Sequence, residues 1–128
     1  MKISILTSTY NRAHLLDKLY TSILINKNES NCDIEWLIMD DGSSDNTKMI
    51  VENYIKERII DIKYFYQENK GKMAAINELV KKSTGDLILE CDSDDFFTTR
   101  AFKIIEESLE KCKDMGNTYA MVFLKYDE

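Results

Sequence analysis

Proline is absent from this chain of 128 residues and glycine occurs only four times. That composition excludes proline-rich and glycine-rich linkers, so turns have to rest on Asn, Asp and Ser. The three cysteines, Cys32, Cys91 and Cys112, are odd in number, widely spaced and without a C-x-x-C pair. They argue against a disulfide framework or a thiolate zinc site, fit a reducing compartment, and suit small buried apolar positions. The single histidine, His14, falls in the first turn of a predicted helix, where capping or exposure suits it better than general-base work. No apolar run approaches the roughly 20 residues of a membrane span, and the short N-terminal run ends at the polar Thr7-Ser8-Thr9. No basic block exceeds two residues, and 23 acidic against 17 basic residues leave a net charge of -6, so no nucleic-acid footprint is expected.

Apolar residues make up 44% of the chain, enough for a core in one domain spanning residues 1–128. Short apolar runs at 3–6, 34–39, 62–66, 86–91 and 119–124 read as strands, the third alternating and nearer an edge. Between them lie helical spacings: Leu15, Leu16, Leu19 and Ile23; Met49, Ile50, Asn53 and Tyr54; Met73, Ile76, Leu79 and Val80; and Phe102, Ile105, Leu109 and Cys112 turned inward. Residues 42–45 offer a turn and a cap for the second helix, Gly71 opens the third, Thr84-Gly85 ends it, and Thr98-Thr99 cap the fourth. The order βαβαβαβαβ predicts an α/β fold, a Rossmann-like, mainly parallel sheet with helices on both faces. Ligands of such sheets sit beyond the carboxyl ends of the strands. The last predicted strand leaves only residues 125–128 after it, with no helix for its final face, so the expectation is a truncated domain whose last strand could pair with a second copy.

Acid is concentrated at two of those strand ends. Asp92, Asp94 and Asp95 follow Leu87-Ile88-Leu89, and Asp40-Asp41 follow Trp36-Leu37-Ile38-Met39. Carboxylates a few ångströms apart raise one another's pKa, and such a cluster usually persists because a cation or a ligand's donors neutralise it. Taken singly, Asp40-Asp41 reads as an ordinary turn, and residues 92–95 as a helix cap or a loose calcium loop. Tyr10 alone reads as a half-buried packing residue, and Lys72 alone as a solvated helix residue.

Four blocks in register change that balance: residues 5–12 (Ile-Leu-Thr-Ser-Thr-Tyr-Asn-Arg), 36–47 (Trp-Leu-Ile-Met-Asp-Asp-Gly-Ser-Ser-Asp-Asn-Thr), 67–72 (Gln-Glu-Asn-Lys-Gly-Lys) with Ala75 and Asn77, and 92–95 (Asp-Ser-Asp-Asp). Together they resemble the nucleotide-sugar half of family 2 glycosyltransferases, which have the GT-A fold. The resemblance implies inverting transfer of a sugar from a nucleotide diphosphate, commonly UDP, to a hydroxyl of a glycan or other acceptor, with a divalent cation, Mn²⁺ or Mg²⁺. It implies Asp94 as first metal contact, Asp92 beside the ribose or metal with Ser93, and Asp95 in support. Tyr10 becomes the stacking partner of the base, Ser8 or Thr9 a backbone-positioned contact, and Asp40 or Asp41 an acceptor for a base N–H. Asn11 belongs to the nucleoside segment, while Gly71, Lys72 and Arg12 suit the diphosphate.

Two departures are visible: Ser8 stands where the family often has Pro, and Phe96 where it often has Trp. The family's catalytic base comes from its second half, so it is expected downstream of Glu128. A nucleotide- and metal-binding unit without transfer activity is the second expectation. A receiver-type signalling domain is the third, although its acidic pair and phospho-acceptor end strands one and three. The location that goes with these readings is cytoplasmic, the inner membrane surface included.

Overall fold

The computed structural model describes residues 1–112. Its elements are β1 (Lys2–Thr9), α1 (Ala13–Glu29), β2 (Asp33–Asp40), α2 (Thr47–Glu57), β3 (Asp61–Tyr66), α3 (Lys72–Lys82), β4 (Leu87–Glu90) and α4 (Ala101–Cys112). The strands form one sheet in the order β3-β2-β1-β4 with every pairing parallel. The fifth strand expected at 119–124, and any pairing it makes with a second copy, lies outside the described residues, as does the Cys112 side chain. Among the described residues no helix is long and apolar enough to cross a membrane.

Period-two alternation divides the core. Ile3, Ile5, Ile34, Trp36, Ile38 and Ile62 face one side with residues of α1, α2 and α4, whereas Leu6, Leu37 and Met39 face the other with Ala75 and Leu79 of α3. β2 is buried from Ile34 through Asp40, as a parallel strand covered on both faces should be, and β3 lies at the edge as expected but does not alternate in burial, since Tyr64 packs on one core and Phe65 on the other. Trp36 anchors the first side: its ring stacks 6.0 Å from Tyr20 and 6.2 Å from Tyr54, and its Nε1 donates to Thr7 Oγ1 at 2.9 Å. That bond lets a buried threonine sit inside β1, so the strand continues through Ser8 and Thr9 instead of ending at residue 6.

Three other expectations are corrected by packing. On α3, Met73 and Val80 are 76% and 44% exposed, because the helix covers only the narrow strip of Leu6, Leu37 and Met39 with Ala75 and Leu79. Gly85 lies beyond the end of α3; a Cβ there would meet Ser4 Oγ at 2.6 Å and Ser4 N at 2.7 Å, so glycine permits the close approach to β1. The side-chain acceptors at the start of α4 come from α1, with Phe102 N–H donating to Asn26 Oδ1 at 3.0 Å and Arg100 N–H to Glu29 Oε2 at 2.5 Å, while Thr98 accepts Ala101 N–H at 3.3 Å through its carbonyl. Cys32 and Cys91 are buried as expected, and burial pushes the Cys32 thiol up to about 11.

The amino end of the sheet is sealed around Glu35, which is fully buried. Its carboxylate accepts from Ser4 Oγ (2.8 Å), Thr84 N–H (2.9 Å) and Thr84 Oγ1 (2.7 Å), with Lys2 and Lys63 Nζ each at 3.4 Å. Burial raises its pKa, but the Thr84 and Ser4 bonds and the Lys63 charge outweigh that and bring it down to about 2. A depressed carboxyl stabilises the fold above its unfolded value and loses that contribution as pH falls through the folded one. Denaturant unfolding at a series of pH values should therefore show stability declining as pH drops from about 4.5 toward about 2. Glu35→Gln should flatten this limb and cost about 2 kcal/mol at neutral pH; an unchanged acid limb contradicts the assignment.

Candidate functional site

The carboxyl ends of the strands are held together by side chains that cross between loops. Asn11, at φ +50, donates its N–H to Ser43 Oγ and accepts from Ser44 N–H at Oδ1, both at 2.8 Å. Left-handed backbone of this kind suits asparagine. Asp45 accepts Ala13 N–H (3.1 Å) at one oxygen, and Thr47 N–H (3.1 Å) and Oγ1 (2.5 Å) at the other, so one carboxylate caps both α1 and α2. Burial raises its pKa, and the Thr47 and Ala13 bonds overcome this and lower it.

The acidic pair ending β2 is shared between two tasks. Asp40 is buried, accepting from Ser43 N–H at 2.8 Å and from the Tyr64 hydroxyl at 2.6 Å. Burial, then that bond and the Asp40 charge, push the Tyr64 phenol upward. Asp41 accepts Lys70 N–H (2.8 Å) and Gln67 Nε2 (2.8 Å) at Oδ1 and Gly71 N–H (3.0 Å) at Oδ2. Burial acts against its ionisation, yet these bonds lower its pKa. It thereby fixes loop 67–71 and the start of α3, where Gly71 adopts φ +92. A Cβ on Gly42, also at φ +92, would stand 3.1 Å from Asn69 N, so both glycines are needed for this junction.

After β4 the chain turns through the acidic run. One oxygen each of Asp92, Asp94 and Asp95 lie within 4.8 Å of one another, a hard-oxygen set that fits a divalent Mn²⁺ or Mg²⁺. Lys72 Nζ bonds Asp92 Oδ1 and lies 3.3 Å from Glu90 Oε1, while an Arg12 guanidinium nitrogen lies 3.4 Å from Asp94 Oδ2. The bond to Asp92 is the main reason the Lys72 pKa is raised.

These segments enclose an open cleft of about 390 Å³. Ser8, Tyr10 and Arg12 line it from the end of β1, Asp41 from the end of β2, Lys72 from α3, and Asp92, Ser93 and Asp94 from the turn after β4. Tyr10 is 48% exposed there, open to a flat ligand. Other expected residues stand behind the lining. Thr9 is buried, and its Oγ1 has no hydrogen-bond partner among the described residues. Asn11, Asp40 and Gly71 hold loops, and Asp95 adjoins Asp92 and Asp94. Asp45 caps the second helix as residues 42–45 offered, whereas its bond to α1 and the supports Tyr64, Gln67 and Glu90 were missed by sequence reasoning. Tyr64 pairs with Ile38 two positions before Asp40, a cross-strand relation that alternation could have exposed once register was known.

Comparison with known proteins gives a match to Glycosyl transferase family 2 over residues 4–120. An uncharacterized glycosyltransferase of Mycoplasma pneumoniae is 35% identical over 114 residues, 87% of this chain and 38% of that protein. The GalNAc(5)-diNAcBac-PP-undecaprenol beta-1,3-glucosyltransferase of Campylobacter jejuni is 35% identical over 96 residues, 73% of this chain and 30% of that protein. The crystal structure of S. aureus TarS 1-349 in complex with UDP-GlcNAc is similar with a TM-score of 0.77 and 26% identity, over 88% of this chain and 32% of that one. The chain thus spans less than two fifths of the length of these relatives.

The role given to Asp41 can be checked directly. Asp41→Ala leaves the Lys70 and Gly71 amides without their acceptor, so their hydrogen exchange should accelerate and stability should fall by about 1–3 kcal/mol. Unchanged exchange at both amides would show that loop 67–71 is held by something else.

Proposed function

The chain belongs to glycosyl transferase family 2 and has the GT-A fold, and on that premise we propose that it binds the donor in an inverting transfer from a nucleoside diphosphate sugar to a hydroxyl acceptor. The observation that carries this reading is the meeting of Tyr10, Lys72, Arg12 and the carboxylates of Asp92 and Asp94 in one cleft, with Asp95 beside them. An aromatic face, two cations and a hard-oxygen cluster are the groups a nucleoside diphosphate with a divalent ion requires. The UDP-GlcNAc bound by TarS supports uridine as the nucleoside.

In this proposal Tyr10 stacks on the base and Asp41 accepts a base N–H with electron pairs its loop bonds leave. Ser8 contacts the nucleoside through the backbone. Asp94 is the first metal contact, with Asp92 and Asp95 completing the set, and the bound Mn²⁺ or Mg²⁺ supplies Lewis-acid neutralisation of the departing diphosphate. Lys72, at the amino end of α3, and Arg12 share the charge that develops on the leaving group. No described side chain is assigned as the base that deprotonates the acceptor. The Campylobacter relative, whose named acceptor is a lipid-linked glycan, supports a glycan acceptor.

The structure also separates this reading from a receiver-type domain, which needs its acids at the ends of strands one and three; here they end β2 and β4. A unit that binds donor and metal without transfer is the second reading, since the cleft's described lining accounts for a donor and its ion but is assigned no base.

Thermal unfolding with UDP and Mn²⁺ tests donor binding. At a hundred times Kd the ligand should add about 2.7 kcal/mol of stability, an upward shift that Asp94→Ala should abolish or sharply reduce. No shift in the wild type, or an equal shift in Asp94→Ala, overturns the proposal. Sugar transfer by the chain would reject only the binding-without-transfer reading.

A further inference from the structure

Two of the three carboxylates close enough to share one divalent ion already hold cations that belong to the chain. Lys72 Nζ bonds Asp92 Oδ1, and Arg12 lies 3.4 Å from Asp94 Oδ2. Neither pair is locked in place. The side chains of Lys72 and Asp92 are 51% and 41% exposed, and those of Arg12 and Asp94 are 48% and 47% exposed. Exposed pairs of this kind are worth little and rearrange readily. Lys72 has a second carboxylate, Glu90, at 3.3 Å, so its ammonium already divides its contacts between two partners.

A divalent ion arriving alone must compete with both cations for the same oxygens, and it crowds positive charge into the cleft. A diphosphate arriving with it offers the ammonium and the guanidinium a new anion. We infer that Lys72 and Arg12 are exchangeable counter-ions: they hold Asp92 and Asp94 until a nucleoside diphosphate enters, then transfer to its phosphates and leave the carboxylates to the metal. The inference rests on the donor-binding reading and adds to it a coupling between metal and nucleotide. By linkage the coupling is reciprocal, so each ligand strengthens the other.

Opposite signs make the test specific. Mn²⁺ titration of the full chain without nucleotide, read from the spin-resonance signal of the free ion, should give tighter binding for Lys72→Met and for Arg12→Gln than for the wild type. The expected gain is about twofold to fivefold each, the scale of one partly exposed ion pair. The same variants should bind UDP more weakly in the presence of Mn²⁺, and UDP should enhance their Mn²⁺ affinity by a smaller factor. Lys72→Arg keeps the cation and should not show the tighter Mn²⁺ binding of Lys72→Met in the absence of nucleotide. Melting curves identify the variants that fold, and two independent positions protect the test against the loss of one. Unchanged or weaker Mn²⁺ binding by both variants overturns the inference while leaving donor binding intact. Failure of the wild type to bind UDP with Mn²⁺ overturns the donor-binding reading and this inference together.

Discussion

Carboxylates gathered at one end of a parallel sheet repel one another, and the loops around this cleft are arranged as the answer to that repulsion. Asp40 and Asp41 take backbone and side-chain donors from residues 43, 64, 67, 70 and 71, which ties the end of β2 to β3 and to loop 67–71. Asp45 takes the first N–H groups of two helices. Asp92 and Asp94 are answered by Lys72 and Arg12. Each acid therefore fixes the position of the segment that neutralises it, and the cleft takes its shape from those bonds.

The two ends of the sheet treat acid differently, and the contrast separates structure from function. Glu35 at the amino end is fully buried and bound by four side chains and one backbone N–H, an arrangement suited to holding the fold. Asp92 and Asp94 at the carboxyl end are about half exposed and matched by single flexible side chains. Buried charge of the first kind is costly to disturb, whereas ion pairs of the second kind exchange partners at little cost. Between them lies a core in which Trp36 stacks with Tyr20 and Tyr54, fixing β2 against α1 and α2 and so placing Asp40 and Asp41.

Much of this was legible in the residues because periodicity and strand-end chemistry are local. The apolar run before Asp40 marked a strand, residues 62–66 marked one nearer an edge, and the acidic runs after two strands marked one end of the sheet. What escaped depends on which segments meet. The donors to Asp41 from Lys70 and Gly71 are backbone N–H groups, which every residue but proline carries, so no side chain announces them. Asn26 reads as an unremarkable helix residue until α4 lies against it and takes its Oδ1. Met73 and Val80 keep helical spacing yet face outward, since spacing defines a stripe but not the width of the sheet beneath it. Gly85 looks like a helix stop, and only its distance to Ser4 reveals a close approach.

The central claim is that the cleft binds a metal-bound nucleoside diphosphate between Tyr10, Lys72 and the acidic run. Nuclear magnetic resonance of the isotope-labelled chain titrated with UDP and Mn²⁺ tests it most directly, because a paramagnetic ion broadens the amides around it. The account predicts broadening that is strongest at Tyr10, Lys72, Asp92, Ser93 and Asp94 and falls off along the strands toward Ser4, Glu35 and Thr84 at the opposite end of the sheet. Broadening centred anywhere else, or none at all, would contradict it.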